Sequence, residues 1–261
     1  MMEKPVILVT NDDGITAPGI RNLVAAAGKF GRVVVVAPDS PQSGKGHAVT
    51  LEEPIRLKKN EIFEGIEAYE CSGTPVDCVK LAKFEVLQDV VPALCVSGIN
   101  HGSNVSSNIL YSGTMSAAME AAMEHIPAIG FSLLDFKWDA DFTAARRVAE
   151  IVIERALTEG MPETNLLNVN VPNIPLEEIK GIKICRQADA RWVERFQKME
   201  NPRNMDLYWL TGEFVNHDQR KDTDVRALSE GYVSVVPCQF DLTNERAKTA
   251  MQNWNQQGIN P

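Results

Sequence analysis

Short runs of apolar residues alternate with amphipathic segments through the first two thirds of the chain. Residues 6–9 and 33–36 are continuous apolar runs, which is typical of strands buried on both faces of a sheet. Between them, Ile20, Leu23 and Ala27 recur at helical spacing. The same alternation predicts further strands at 93–96, 128–133 and 166–171 and further helices at about 74–84, 115–124 and 142–157. This order favours an α/β fold: a three-layer sandwich in which a mostly parallel sheet lies between two layers of helices.

Two parts of the chain depart from this alternation. Residues 49–69 have short alternating segments around Lys58-Lys59-Asn60, which predicts an inserted β-hairpin. After Pro172 the sequence becomes more β-like and contains long charged stretches. There we predict strands at 182–185, 207–210 and 232–236, a polar stretch up to residue 203, a charged loop up to residue 226 and a terminal helix at 243–254. We therefore divide the chain into an α/β core, 1–175, and a C-terminal β-rich extension, 176–261, which is not expected to fold alone.

The composition excludes several classes of protein. The 261 residues carry 26 basic and 35 acidic side chains, a formal charge of −9, so a long nucleic acid is not an expected partner. No apolar run approaches the roughly 18 residues of a membrane span, and residues 6–9 are too few for a signal-peptide core. These features predict a cytoplasmic protein without a membrane partner. The five cysteines, an odd number without CxxC spacing, are expected to be reduced thiols.

The first candidate for chemistry is Thr10-Asn11-Asp12-Asp13-Gly14, directly after the first predicted strand. Ligands of open α/β sheets bind beyond the carboxyl ends of the strands. Two adjacent carboxylates repel each other there unless a cation lies between them, and Mg²⁺ prefers such oxygen ligands. The alternative is a plain turn, since Asn-Asp-Asp-Gly is also good turn chemistry.

Two more polar segments follow predicted strands. Residues 37–47 form a loop rich in glycine, serine and proline that fits neither a Walker loop nor Gly-x-Gly-x-x-Gly, so a mobile loop is an open alternative. Residues 97–113 contain three glycines, three asparagines and five serines. Ser112 and Thr114 then bracket the start of a helix, where free N–H groups favour an anion. A polar loop with a helix cap is the alternative here.

The carboxyl ends of parallel strands lie at one edge of a sheet, so these three segments should converge. They would place two carboxylates, a hydroxyl, a carboxamide and a helix N-terminus around one point. That set suits an oxygen-ligated metal beside a phosphate pocket, and thus metal-assisted hydrolysis of a phosphate ester. His101, inside the third segment, is a candidate proton donor or a residue that orients the phosphate, although a lone histidine is more often a supporting or surface residue.

Four motifs in order carry a family resemblance: Asn11-Asp12-Asp13-Gly14-Ile15, Ala37-Pro38-Asp39 with Gln42-Ser43-Gly44, Ser97-Gly98-Ile99-Asn100 with Gly102 and Asn104, and Tyr111-Ser112-Gly113-Thr114. With these motifs the chain resembles the SurE family (survival protein E), metal-dependent phosphatases of nucleoside monophosphates. The resemblance extends from the first strand to about residue 171 and is loose beyond it. It implies a Rossmann-like core and the activity of a 5′- or 3′-nucleotidase that releases nucleoside and phosphate.

The resemblance also implies the site residues. It assigns one divalent cation per subunit, Mg²⁺ or Mn²⁺, to Asp12, Asp13, Ser43 and Asn100. It places the phosphate among Asn11, Asn104, Ser112, Gly113 and Thr114. The two aspartates are the catalytic candidates, and the sequence leaves open which of them accepts a proton from the attacking water.

The extension is expected to serve assembly. Trp192, Phe196, Tyr208 and Trp209 supply large apolar surface on segments too polar to form a core of their own. Since the family's C-terminal extension joins subunits, we expect a homodimer or homotetramer in which the extension reaches the neighbour and its arginines help to close the partner's site. The alternative is that these rings fold back on the α/β core.

Three other classes of α/β protein fit the sequence less well. A receiver domain would be about half this length, with a phospho-accepting Asp after its third strand. A phosphatase of the haloacid dehalogenase type needs Asp-x-Asp, whereas Asp12 and Asp13 are adjacent. A dinucleotide oxidoreductase needs a glycine fingerprint that is missing.

Overall fold

The computed structural model describes residues 4–255; residues 1–3, part of the start expected to lack a signal peptide, and residues 256–261, the end of the predicted extension, lie outside the described residues. The strands are β1 (Val6–Thr10), β2 (Arg32–Pro38), β3 (Leu57–Lys59), β4 (Glu67–Cys71), β5 (Leu94–His101), β6 (Ala128–Leu133), β7 (Leu166–Val171), β8 (Ile182–Ile184), β9 (Ala190–Glu200), β10 (Asp206–Asn216) and β11 (Val233–Cys238). The α-helices are α1 (Pro18–Ala27), α2 (Pro75–Leu81), α3 (Gly113–Met123), α4 (Thr143–Thr158), α5 (Asp224–Ser229) and α6 (Glu245–Ala250).

Nine of these strands form one sheet in the order β3-β4-β2-β1-β5-β6-β7-β11-β8. The pairs from β4 to β7 are parallel, whereas β3 pairs antiparallel with β4, and β11 pairs antiparallel with β7. The chain builds outward from β1 to β2 and β4, then returns to place β5 on the other side of β1. The strand order therefore reverses between β1 and β5, which is where open α/β sheets bind ligands.

Helices cover both faces of the sheet. One apolar core lies between the sheet and the helices α1 and α4, and a second lies between the sheet and α2 and α3. Strands β1, β6 and most of β2 are buried along their length, because side chains on both of their faces enter a core. The predicted mostly parallel, three-layer α/β fold is confirmed.

The predicted hairpin at 49–69 is smaller than expected and belongs to the main sheet. Only β3 and β4 form strands there, and they pair antiparallel, Leu57 with Cys71. Strand β4 also pairs in parallel with β2, so the hairpin is the edge of the central sheet and no separate insertion.

The extension differs most from its prediction. The stretch predicted to be polar and irregular up to residue 203 is largely the 11-residue strand β9, which pairs with the equally long β10 in a two-stranded hairpin, the β9–β10 hairpin. The charged loop predicted up to residue 226 runs into a short helix, α5, capped by Thr223. The predicted terminal helix is shorter, since only α6 and a 3₁₀ turn at Gln252–Trp254 form.

Most of the β9–β10 hairpin stands away from the core. Phe196, Tyr208 and Trp209 are 69%, 60% and 62% exposed, so the alternative that the rings fold back on the core is wrong for these three, whereas Trp192 is 45% exposed. Strands β8 and β11 of the same extension do join the central sheet. The division at residue 175 stays a prediction. Within residues 4–255, no helix is long and apolar enough to cross a membrane.

Candidate active site

Three loops and one helix end meet at the carboxyl edge of the sheet, beside the reversal between β1 and β5. Thr10 at the end of β1 is in register with Ser97 of β5, so the residues that follow both strands are neighbours. The loop after β2 is tied to the loop after β1, because the Gln42 N–H donates to the Asp12 carbonyl at 2.7 Å. The start of α3 reaches the same point, since the Thr114 hydroxyl donates to the Asp12 carboxylate. The structure thus brings the predicted loops together around one aspartate.

A tight turn after β1 presents the two aspartates. Gly14 has a φ of +96°, a conformation that favours glycine, and its carbonyl accepts a hydrogen bond from Asn11 Nδ2 at 2.8 Å. The next residue, Ile15, is buried and donates its N–H to a carbonyl at the end of β2 at 2.8 Å. Residues 11–14 therefore do form the tight turn that was the alternative to a metal site. This turn fixes the two carboxylates at the edge of the sheet.

The first turn of α3 encloses Asp12. The Asp12 side chain is buried and accepts a hydrogen bond from the hydroxyl of Thr114. Gly113 leaves room for this contact, because a Cβ there would lie 2.6 Å from Asp12 Cβ and 2.9 Å from Asp12 Oδ2. Ser112 caps the helix by accepting from the Met115 N–H at 3.0 Å. The positive end of the helix dipole therefore faces the carboxylate.

The two aspartates have no cationic partner: within residues 4–255, no Lys, Arg or His forms an ion pair with either. Burial, and secondly the charge of Asp13, raise the pKa of Asp12 to about 6. Burial also raises the pKa of Asp13 to about 6, opposed by a hydrogen bond from the His101 N–H at 3.3 Å. The site thus holds two crowded carboxyl groups whose charge these residues do not neutralise.

The loop that carries Ser43 is also tied to α3. His47 Nε2 lies 2.9 Å from Glu120 Oε2, and Lys80 pairs with the same carboxylate. Glu120 is buried in the middle of α3, so this cluster joins the loop, α2 and α3. The sequence alone predicted no role for these three residues. The available signal was a glutamate in an Ala- and Met-rich helix, because a buried carboxylate requires charged partners.

The last two residues of strand β5 are Asn100, a predicted metal ligand, and His101, a candidate proton donor. The Asn100 Nδ2 donates to the Gly102 carbonyl at 2.7 Å, which leaves the side-chain oxygen as an acceptor. His101 Nδ1 lies 2.8 Å from the Lys137 carbonyl, and its ring stacks on Trp138 at 5.5 Å. Because Nδ1 donates to a carbonyl, the neutral ring carries no proton on Nε2, which is buried without a partner. A proton-donor role for His101 therefore requires the imidazolium form.

A buried network of carboxamides holds Asn104. The Asn104 N–H donates to Asn170 Oδ1, and its Nδ2 donates to Ser132 Oγ, both at 2.8 Å. Asn168 Nδ2 donates to the Asn104 carbonyl at 2.8 Å, and Asn168 Oδ1 accepts from Asn170 Nδ2 at 2.9 Å. The three supporting residues, Ser132, Asn168 and Asn170, were not predicted from the sequence. The signal was two asparagines inside an apolar run, since polar side chains in a buried strand need specific partners.

These elements surround a cavity of about 1150 Å³. The predicted residues that line it are Asp12, Ser43, Asn100, Asn104 and Ser112, together with the candidate His101. Asn11, Asp13, Gly113 and Thr114 are not part of this lining; Thr114 donates to Asp12, and Asn11 donates into the turn. The contacts of Thr114 and Asn11 are thus with the aspartate loop, and the roles of all these residues toward a ligand stay predictions.

The β9–β10 hairpin forms another wall of the same cavity. Residues from both of its strands line it, among them Trp192 and Leu210. The part of the extension nearest the core therefore faces the site of its own chain. Whether its arginines also reach a partner subunit's site stays a prediction.

Comparisons with known proteins agree on one family. The family described as "Survival protein SurE" matches residues 7–194. A protein of Flavobacterium psychrophilum named 5′-nucleotidase SurE is 57% identical over 97% of this chain and 99% of its own length. One of Christiangramia forsetii with the same name is 56% identical over 97% of this chain and 98% of its own length.

A solved structure supports the same family. The SurE protein from Aquifex aeolicus is 40% identical, and its crystal structure superposes with a TM-score of 0.83 over 96% of this chain and 99% of that chain. The match covers the central sheet and the extension together. The family resemblance carried by the four sequence motifs is confirmed, and this chain belongs to the SurE family.

Proposed function

We propose that this chain is a 5′-nucleotidase, a phosphoric monoester hydrolase that converts nucleoside 5′-monophosphates, and also 3′-monophosphates, to nucleoside and phosphate. The observation that carries the proposal is the pair of carboxylates that have no cationic partner within residues 4–255, beside the start of α3 and a cavity large enough for a nucleotide. The names of the relatives in Flavobacterium psychrophilum and Christiangramia forsetii support the reaction class.

The donor set fits one divalent cation, Mg²⁺ or Mn²⁺. No group of three or more His, Cys, Asp or Glu that could hold a metal occurs in residues 4–255, so transition-metal ligation by nitrogen or sulfur is not what the site offers. It offers two carboxylates with neutral oxygens, which hard cations accept while keeping several waters. The buried side-chain oxygens of Thr10, Asn11 and Ser97 have no hydrogen-bond partner in the part of the chain that the structure describes, and Thr10 and Ser97 are in register on neighbouring strands. Metal-bound waters are the kind of group that would satisfy them.

In this proposal Asp12, Asp13, Ser43 and Asn100 hold the cation, which when bound polarises the phosphoryl oxygen and makes the attacking water more acidic. Protein groups bind the phosphate and accept the proton of the water. The N–H groups at the start of α3 and the Ser112 hydroxyl bind phosphate oxygens, and the other predicted phosphate residues support this pocket. One of the two aspartates accepts the proton of the water.

Removal of the cation tests the proposal directly. Phosphate release from adenosine 5′-monophosphate is expected to fall below about 1% when the protein is dialysed against a chelator, because the carboxylate pair then repels the anionic substrate. Adding Mg²⁺ or Mn²⁺ should restore it, and the same assay with the 3′-monophosphate tests the second regiochemistry. Turnover that persists in chelator, or no turnover with any divalent cation, would contradict the proposal.

We also propose that the protein is a homodimer or homotetramer. The exposed side chains of the β9–β10 hairpin, among them Phe196, Tyr208 and Trp209, form an apolar surface of the kind that soluble monomers usually avoid. Light scattering is expected to give at least twice the chain mass of 28.8 kDa.

A shortened hairpin tests whether this surface is the interface. Phe196 pairs with Leu210, so replacing residues 197–209 by a two-residue Asn-Gly turn keeps the strand register and the cavity wall. The shortened protein is expected to have a lower mass than the parent. A parent mass near 29 kDa, or an unchanged oligomer after shortening, would contradict the assignment.

A further inference from the structure

We propose that the wall of the cavity formed by the β9–β10 hairpin binds the nucleobase, and that Trp192 is the ring on which the base stacks. The inference rests on the proposed function, since it names the part of the site that would distinguish a nucleotide from other phosphate esters. Trp192 would be a specificity residue that contacts substrate, while the aspartate loop and the start of α3 act on the phosphate.

The cavity is much larger than a phosphate group requires. Sites that enclose a whole small molecule typically measure about 300–1,000 Å³, and this cavity of about 1150 Å³ is slightly larger than that range. A phosphate group and one cation fill only a small part of such a volume. The rest borders side chains of a different character, namely Phe136, Trp192, Val193 and Leu210. One cavity thus combines an anion-binding side with an apolar, aromatic side. A nucleoside monophosphate has the same two parts, an anionic phosphate and an aromatic base.

The hairpin wall is held in a fixed position relative to the phosphate side. Ser106, two residues after Asn104, accepts from the Ala190 N–H at 2.9 Å and donates to the Ala188 carbonyl at 2.8 Å. The buried Asp224 carboxylate accepts from the N–H groups of Ser106 at 2.8 Å and Ala188 at 3.0 Å. The first residues of β9 are therefore tied to the loop after β5, and Trp192 follows two positions later.

The indole ring is supported and still accessible. Trp192 lies opposite Phe214 in the hairpin, and their rings meet edge to face at 6.0 Å. The residue remains 45% exposed and lines the cavity, so a planar ligand can reach it. Nucleobases stack on such rings because every base has a π-face.

The chain provides a matched control on the same hairpin. Trp209 is the same residue type, is 62% exposed and does not line the cavity. Because Trp192 pairs with Phe214, and side chains alternate along a strand, Trp209 points to the opposite face of the hairpin. Replacing either tryptophan by alanine removes the same apolar surface, but only Trp192→Ala removes the proposed stacking platform.

The experiment compares a ligand with a base and one without. For Trp192→Ala, the KM for adenosine 5′-monophosphate is expected to rise about 10-fold or more, whereas the inhibition constant of inorganic phosphate should change less than about twofold. Trp192→Phe should retain most of the affinity, since a smaller ring still stacks. Trp209→Ala should leave both constants unchanged whether or not it alters the oligomeric mass, which light scattering measures for each variant.

Three results would overturn the inference. These are an unchanged KM in Trp192→Ala, an equal loss of nucleotide and phosphate affinity, and an equal loss in Trp209→Ala. Failure of the proposed function looks different, because the parent protein would then hydrolyse no nucleoside monophosphate with any divalent cation. Inhibition of the parent by nucleoside without phosphate, weakened in Trp192→Ala alone, would support the base site independently of turnover.

Discussion

Asp12→Asn and Asp13→Asn are each expected to lower kcat/KM by about 1000-fold or more and, in the metal-free protein, to raise the melting temperature. The first effect follows because a neutral amide keeps the size of the side chain but loses the charge that holds a hard cation. The second follows because the two carboxylates are crowded and no cationic side chain within residues 4–255 pairs with them. A residue that supports activity would thus destabilise the metal-free fold.

The size and sign of the stability effect come from the raised pKa of Asp12. Its pKa is about 6 in the folded chain against an ordinary value of 3.8, which corresponds to about 3 kcal/mol at neutral pH. A carboxyl group with a raised pKa binds its proton more tightly in the folded state. Its cost is therefore absent below pH 3.8, grows as the pH rises and is complete above about pH 6. The stability gain of Asp12→Asn should follow the same pH range.

An aspartate with the opposite electrostatics provides the control. The exposed Asp241 accepts from the Thr243 N–H at 2.9 Å, and this hydrogen bonding lowers its pKa. Asp241→Asn should therefore leave turnover unchanged and should not raise the melting temperature. Calorimetric melts in chelator, together with phosphate-release assays in Mg²⁺ or Mn²⁺, measure both effects. Near-parent turnover in either site variant at limiting metal would remove that aspartate from the proposed ligand set.

The centre of the fold was predictable because strands buried on both faces require continuous runs of apolar residues, which are visible in the sequence. Strands β1 and β2 lie between two cores, so both of their faces are apolar and the run of valines at 33–36 has no other plausible structure. Parallel strands then place their following loops at one edge, which is enough to predict that Asp12 and Asn100 approach each other. The geometry of the site follows from topology more than from any single motif.

The β9–β10 hairpin was not predictable in the same way. Its strands are not buried in a core, so nothing imposes an alternation of apolar and polar residues, and Arg191, Arg195 and Lys198 interrupt the aromatic positions. Trp192 and Phe214 are far apart in the sequence, and their contact becomes apparent only from the pairing of the two strands. The position of the hairpin beside the cavity depends on Ser106, the first residue of a 3₁₀ turn, which carries no recognisable signal in the sequence.

Individual side-chain roles were also beyond the sequence. A threonine in the first turn of a helix can donate to a bound phosphate or to a neighbouring carboxylate, and the pattern of residues is the same in both cases. In the structure the Thr114 hydroxyl donates to Asp12. The distinction depends on how closely α3 approaches the loop after β1, and that distance is set by packing between elements far apart in the chain.

Gly113→Ala tests how much that close approach matters, and it is expected to lower kcat/KM by about 100-fold while the protein still folds. The added methyl group would lie 2.6 Å from Asp12 Cβ, so either α3 or the aspartate loop must move. The loop is held by the hydrogen bond from the Gln42 N–H, and the helix packs in the second core. A displacement of about 1 Å at a reacting group typically costs about 100-fold in rate.

The expected loss belongs to the position of the carboxylate and not to helix propensity, since alanine is the better helix former. Gly28→Ala, at the end of α1, is the matched control: its φ is −59°, and an added Cβ would approach only the Val24 carbonyl, at 3.2 Å. That variant should keep the parent's turnover. Calorimetric titration of Gly113→Ala with Mn²⁺ should show weaker binding, and circular dichroism should match the parent. Parent-like metal affinity and turnover in Gly113→Ala would mean that the approach of α3 to Asp12 does not shape the site, and the assignment of this helix end to catalysis would fail with it.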